Sequence, residues 1–155
     1  MTWAEPGVGA VATQSVAEPA YGPRGLGPMR LDVDPITAMT ALTKADGDEA
    51  RRQVAFVDAT GRVAVHTGAL CVEAAGGATG DGVSVRANMM RRAGVWPAML
   101  EAFGAATGPL ADRLMVALDA HISTRERGWS DLLRRLPAAD LLRNGDATVT
   151  ALLGS

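Results

Sequence analysis

The segment that most limits what this chain can become is Gly7 to Gln14, GVGAVATQ. It is short and apolar, and its two glycines disfavour a helix, so it reads as a β-strand buried on both faces. Such a strand lies inside a sheet, because its backbone N–H and C=O groups need partners along both edges. A second strand pair follows. Gln53 to Ala59 and Arg62 to Thr67 flank Thr60-Gly61, the pattern of a β-hairpin whose turn favours glycine. Leu70 to Ala74 and Val83 to Ala87 are further strand candidates, with Gly76 to Gly82 (GGATGDG) between them as a flexible loop.

Helical signals are fewer at first and dominate later. Ser15 to Pro28 carries three prolines and three glycines and predicts a structured loop, with one helical turn after Pro23. Asp34-Pro35 is a helix start, since Asp34 can cap free N–H groups and Pro35 fits the first helical position. Ile36, Met39 and Leu42 then mark an apolar face, and Asp46-Gly47 ends the segment. Beyond Val83 to Ala87, Trp96, Met99, Leu100 and Phe103 predict a second helix. Leu110, Leu114, Leu118 and Ile122 predict a third after Pro109, and Trp129 to Leu136 a fourth. Strands with one early helix, followed by helices, predict an α+β fold. The 155 residues fit one domain, with a helical C-terminal segment over 121–155.

Composition narrows the function classes. Aromatic residues are only 4% of the chain, so the core must be built from Ala, Val, Leu and Met. Fifteen basic and 17 acidic residues, spread over both halves, leave no basic footprint for nucleic acid. No apolar run is long enough to span a bilayer, so no membrane association is expected. One cysteine, Cys71, and no basic, apolar leader predict a reducing, cytoplasmic setting. No His and acid residues show ligand spacing, so no metal is expected, and Gly76 to Gly82 lacks the endings of a phosphate or dinucleotide loop, so no cofactor is expected either.

The candidate chemistry is sparse. His66-Thr67, at the end of a hairpin strand, pairs a base with a hydroxyl; the plainer reading is a strand-end His bonded to backbone. Cys71 is a nucleophile only beside a base and otherwise a small buried hydrophobe. Tyr21 and Arg24 lie among shape-restricting prolines and glycines, and Asn88 lies where a strand ends among apolar neighbours. All three have hydrogen-bonding capacity that a buried site must satisfy, or they tie loops to the sheet. The restricted loops predict one cleft shared by Tyr21, Arg24, His66 and Asn88. Arg24 is the group there suited to a carboxylate.

Several of these segments together point to a family. GVGAVATQS (7–15) followed by PAYGPRGL (19–26) resembles the bacterial domain of unknown function 1028 family. The similarity continues through RQVAFVDATGRVAVHTG (52–68), Cys71, Thr79-Gly80, Asn88-Met89 and GPLADRLMVAL (108–118), a family-like region over 7–120. The resemblance implies an Ntn-hydrolase-like αββα sandwich. Active members of that superfamily use an N-terminal Thr, Ser or Cys whose own α-amine is the base. It also implies strands ahead of Trp3 to Gly9 that are missing here. Thr2 would then match an interior loop position, and Gly7 to Gln14 would keep one open edge. The sequence departs from the family pattern at Glu73-Ala74, Gly77 and Arg86-Ala87. It also lacks a segment expected near Ala120.

The expected catalytic residues are thus His66, Thr67 and Asn88, with Tyr21 and Arg24 binding substrate. The expected function is Ntn-type amide hydrolysis. The alternative is a non-catalytic module that binds a small molecule or a protein in the same cleft, and the expected partner is a small-molecule or peptide ligand. Self-association stays open.

Overall fold

The computed structural model describes residues 1–123 and 147–151. The GVGAVATQ segment forms the strand β2 (Gly9–Ser15), preceded by β1 (Thr2–Glu5). β2 has a partner on both edges: β1 on one side and β3 (Arg52–Asp58) on the other, all antiparallel. The open edge expected for β2 is therefore occupied, and Thr2 is the first residue of a strand rather than of a loop. The hairpin forms as its sequence predicts. β3 pairs in register with β4 (Val63–Thr67), placing Phe56 opposite Ala64 and Gln53 opposite Thr67.

The proline- and glycine-rich segment behaves differently from its local signals. Tyr21–Arg30 is a continuous ten-residue helix, α1, not a loop with one turn. Pro23 falls in the first turn, where a missing N–H removes no helical hydrogen bond. The glycines answer to packing. A Cβ on Gly22 would lie 2.2 Å from the Trp3 indole, and one on Gly25 would lie 2.7 Å from Phe56. The helix can therefore sit against the sheet only with bare backbone at these positions. α2 (Pro35–Ala45) starts as expected, with the Asp34 carboxylate accepting from the Ile36 and Thr37 N–H groups at 2.8 and 3.4 Å. Its buried face is Pro35, Ala38 and Met39, whereas Ile36 is 61% exposed.

α1 and α2 cover one face of the β1–β4 sheet, around Val11, Val54, Phe56, Leu26, Met29 and Met39. Burying each large apolar side chain contributes roughly 1.5–3 kcal/mol, so Phe56, fully enclosed, is among the main contributors.

Past Gly68 two expectations exchange places. Leu70 to Ala74 is irregular, and the glycine-rich segment is a strand, β5 (Gly76–Gly80). Gly76 is bare because the Trp96 ring would lie 2.6 Å from a Cβ there. β5 pairs antiparallel with β6 (Val83–Ala87), which pairs with β7 (Ala147–Ala151) in a second sheet. The strand β7 lies within the segment read as helical; Trp129 to Leu136 lies outside the described residues. α3 (Val95–Ala105) and α4 (Leu110–Ser123) pack on each other and on this second sheet, around Val83, Val85, Met99, Phe103 and Ala117. Leu110, Leu114 and Leu118 line that core half-buried.

The result is a mixed α/β architecture of two antiparallel sheets facing each other, each with two helices on its outer side. Among the described residues, no helix is long and apolar enough to cross a membrane.

Candidate functional site

Strand alternation divides the first sheet's side chains between its helix-covered face and the face turned to the second sheet. On β3, Val54 and Phe56 go outward to the helices, so Gln53, Ala55 and Val57 go inward. On β6, Val83, Val85 and Ala87 face α3 and α4, so Ser84 and Arg86 turn inward. The space between the sheets therefore carries a polar seam.

Gln53 is its hub and is fully buried. Its Nε2 donates to the Thr67 hydroxyl at 3.1 Å and to the Gly76 and Ala87 carbonyls at 3.2 Å. Its Oε1 accepts from Gln14 at 2.5 Å and from Asn88 Nδ2 at 3.1 Å. One amide thus joins strands of both sheets, and the seam opens to solvent at Thr67. Sequence reasoning missed Gln53. The available signal was a glutamine at a position of β3 where a buried strand otherwise holds Ala and Val.

The expected site residues divide among three places. Thr67 and Asn88 meet at the seam through Gln53. His66, one residue before Thr67, points to the opposite face, as alternation requires, and its Nε2 contacts the Glu49 carbonyl at 2.8 Å. A shallow surface groove beside it is lined by Ile36, Met39, Thr40 and Val65. Tyr21 is buried beneath α1 and donates to Asp46 at 3.1 Å. Arg24 is exposed on α1 and reaches none of the others. The single cleft expected for Tyr21, Arg24, His66 and Asn88 does not form, because the segment that carries the first two became a helix on the outer face.

Tyr21 belongs instead to an ion-pair cluster. Arg52 donates to Asp46 at 2.8 Å and to the Val16 carbonyl at 2.8 Å. The hydrogen bond from Arg52 holds the Asp46 carboxyl down at about 2, with the Asp48 N–H and Tyr21 hydroxyl assisting. Burial and the Asp46 charge push the Tyr21 phenol up.

Among the described residues, none of the three candidate nucleophiles is bonded to a base. The Thr67 hydroxyl is bonded to Gln53, the Cys71 thiol to the Arg52 carbonyl at 3.3 Å, and the Thr13 hydroxyl to the Glu18 N–H at 3.5 Å. Among the described residues, no three His, Cys, Asp or Glu side chains lie close enough to hold a metal ion.

The second half of the seam is unusual in another way. Arg86 has no solvent exposure, and among the described residues its three guanidinium nitrogens have no hydrogen-bond partner; the Ser84 hydroxyl and Asn88 Oδ1 have none there either. Burial pushes the Arg86 pKa down to about 9, so it still carries its charge at neutral pH. The Met1 ammonium is pushed down first by its own burial and then by the positive charge of Arg86. Two of the departures noted in the sequence, Gly77 and Arg86, are register partners across β5 and β6.

Comparison with known proteins places this architecture. The crystal structure of protein SPO2555 from Silicibacter pomeroyi, assigned to the family DUF1028, superposes with a TM-score of 0.76 at 28% identity. The match covers 79% of this chain and 57% of that one, so the chain spans little more than half the length of that protein. No curated protein matches the sequence. The model of the family of unknown function DUF1028 matches residues 1–124, and the chain therefore belongs to that family.

Proposed function

We propose that this domain is a non-catalytic binding module that takes a small molecule or short peptide at the polar seam between its sheets. The observation that carries the reading is the bonding of the candidate nucleophiles. Thr13, Thr67 and Cys71 each bond to a backbone group or an amide, and His66 turns to the sheet face opposite Thr67, with its Nε2 at the Glu49 carbonyl. A hydrolase needs a nucleophile within reach of a base; the seam offers amides and a hydroxyl, which orient a ligand without activating anything. Two facing antiparallel sheets between helical layers support an Ntn-hydrolase-like sandwich as the parent architecture, and on this reading its chemistry is not used. One cysteine and a near-neutral charge balance support a reducing, cytoplasmic setting with no nucleic-acid partner.

A panel of simple amides and esters, each tested both for turnover and for binding by NMR titration, separates this reading from amide hydrolysis. Binding is expected to shift the Gln53, Thr67 and Asn88 amide signals without turnover, and Asn88→Ala is expected to weaken it. Turnover that disappears in Thr67→Val would return the domain to the hydrolases.

A further inference from the structure

Ser84, Arg86 and Asn88 occupy alternate positions along β6 and its extension, and all are buried on the side turned to the first sheet. In a sheet-on-sheet interior these positions normally hold apolar side chains. Here they present the Ser84 hydroxyl, a complete guanidinium and Asn88 Oδ1, none with a hydrogen-bond partner among the described residues. Buried polar groups are bonded in the great majority of cases, and a buried charge is normally paired, so three such groups in one row call for a common explanation.

We propose that this row is a carboxylate site, and that the ligand of the inter-sheet seam is a small acid with an amide N–H beside its carboxylate, as at a peptide C-terminus. The proposal rests on the binding reading given above. The planar fork of Arg86 matches the two oxygens of a carboxylate, and Ser84 supplies a further donor. The charge selects the class: a buried guanidinium calls for an anion, and the Met1 ammonium, the other charge that acts on it, has the same sign.

The second half of the ligand follows from Asn88. Gln53 Nε2 already faces three acceptors, so its Oε1 must be the end turned to Asn88. Asn88 therefore gives Nδ2 to Gln53 and keeps Oδ1 for a donor. Same-face positions on a strand are roughly 7 Å apart, a span that an amide N–H, a carboxylate and their two hydrogen bonds can bridge. Access is at the β5 edge. Gly77, the register partner of Arg86, is exposed, and a Cβ there would lie 2.9 Å from Arg86 Cγ, so only a glycine fits beside the arginine stem.

The test compares N-acetylglycine with its uncharged counterpart N-acetylglycinamide, titrated by NMR into the full chain at constant ionic strength. N-acetylglycine is expected to bind at least tenfold more tightly. The preference should vanish in Arg86→Gln and shrink several-fold in Arg86→Lys, which keeps the charge and loses the fork. The lysine variant also covers the case in which the glutamine variant does not fold. Equal affinity for the two probes overturns the carboxylate site while leaving the binding module standing. A preference that survives in both variants overturns the role of Arg86. A protein that binds neither probe loses both readings.

Discussion

The two sheets meet the same physical requirement in opposite ways. Each lays one face on two helices and turns the other toward its neighbour, and each places polar groups on that inner face. On β3 the polar residue is Gln53, whose amide satisfies partners on both sheets. On β6 the polar residues are Ser84 and Arg86, with Asn88 just beyond, and their free groups face a low-dielectric interior. A satisfied buried amide makes a unique arrangement, whereas an unsatisfied guanidinium costs stability that function has to justify. The contrast separates a scaffold half, β1–β4 with α1 and α2, from a half that has given up stability for a polar surface.

The comparison is most exposed to test at Phe56, the enclosed aromatic of the scaffold half. Phe56→Ala should cost about 3–5 kcal/mol, read as a fall in the urea midpoint, because α1 carries glycine where it meets the ring and cannot collapse into the gap. A loss below about 1 kcal/mol would mean that the scaffold core is looser than its burial indicates. Arg86→Met is expected to act in the opposite direction. Removing an uncompensated buried charge should stabilise the free protein by about 1–4 kcal/mol. Destabilisation by this change would show that Arg86 is compensated, and the contrast between the sheets would fall.

Smaller effects sharpen the picture of the scaffold half. Asp34→Ala removes the cap of α2 and should cost about 1 kcal/mol, with thermal unfolding as the readout. The smallest is expected on acidification, since the Asp46–Arg52 pair still touches solvent. The Asp46 carboxyl sits at about 2 against an ordinary value of 3.8. The folded state binds its proton less readily than the unfolded state, so its contribution is complete above pH 4 and is lost as the pH falls toward 2. Asp46→Asn should flatten that limb of the stability–pH curve. An unchanged limb would assign it to other carboxylates, among them Asp58. Burial raises the Asp58 carboxyl, but the hydrogen bonds from Arg62 and Thr60 outweigh it and leave the group below its usual range.

Local signals were sufficient where one short segment decides the outcome. The β3–β4 hairpin, β6, the Asp34 cap and the apolar faces of α3 and α4 were all legible, because turn chemistry, capping and periodicity act within a few residues. They failed where a distant partner overrides propensity. Tyr21–Arg30 is helical because Trp3 and Phe56 demand close approach by bare backbone, and Gly76–Gly80 is a strand because Trp96 does. The candidate site was half legible for the same reason. Asn88 and Thr67 were found as polar residues at strand ends, but only strand register brings both to Gln53. Register also sends His66 to the opposite face and turns Arg86 inward.

The sequence by itself determined the strands β2, β3, β4 and β6, the helices α2, α3 and α4, and the family resemblance. The tertiary structure decided which polar residues share a space. A residue's type is carried by the chain, but the face it occupies and the partner it meets depend on pairing between segments up to 39 residues apart in the seam. That dependence explains why Tyr21 and Arg24 lie on the helix-covered side of the first sheet, and why Gln53, unremarked in the linear pattern, and Arg86, marked there only as a departure from the family pattern, lie between the sheets.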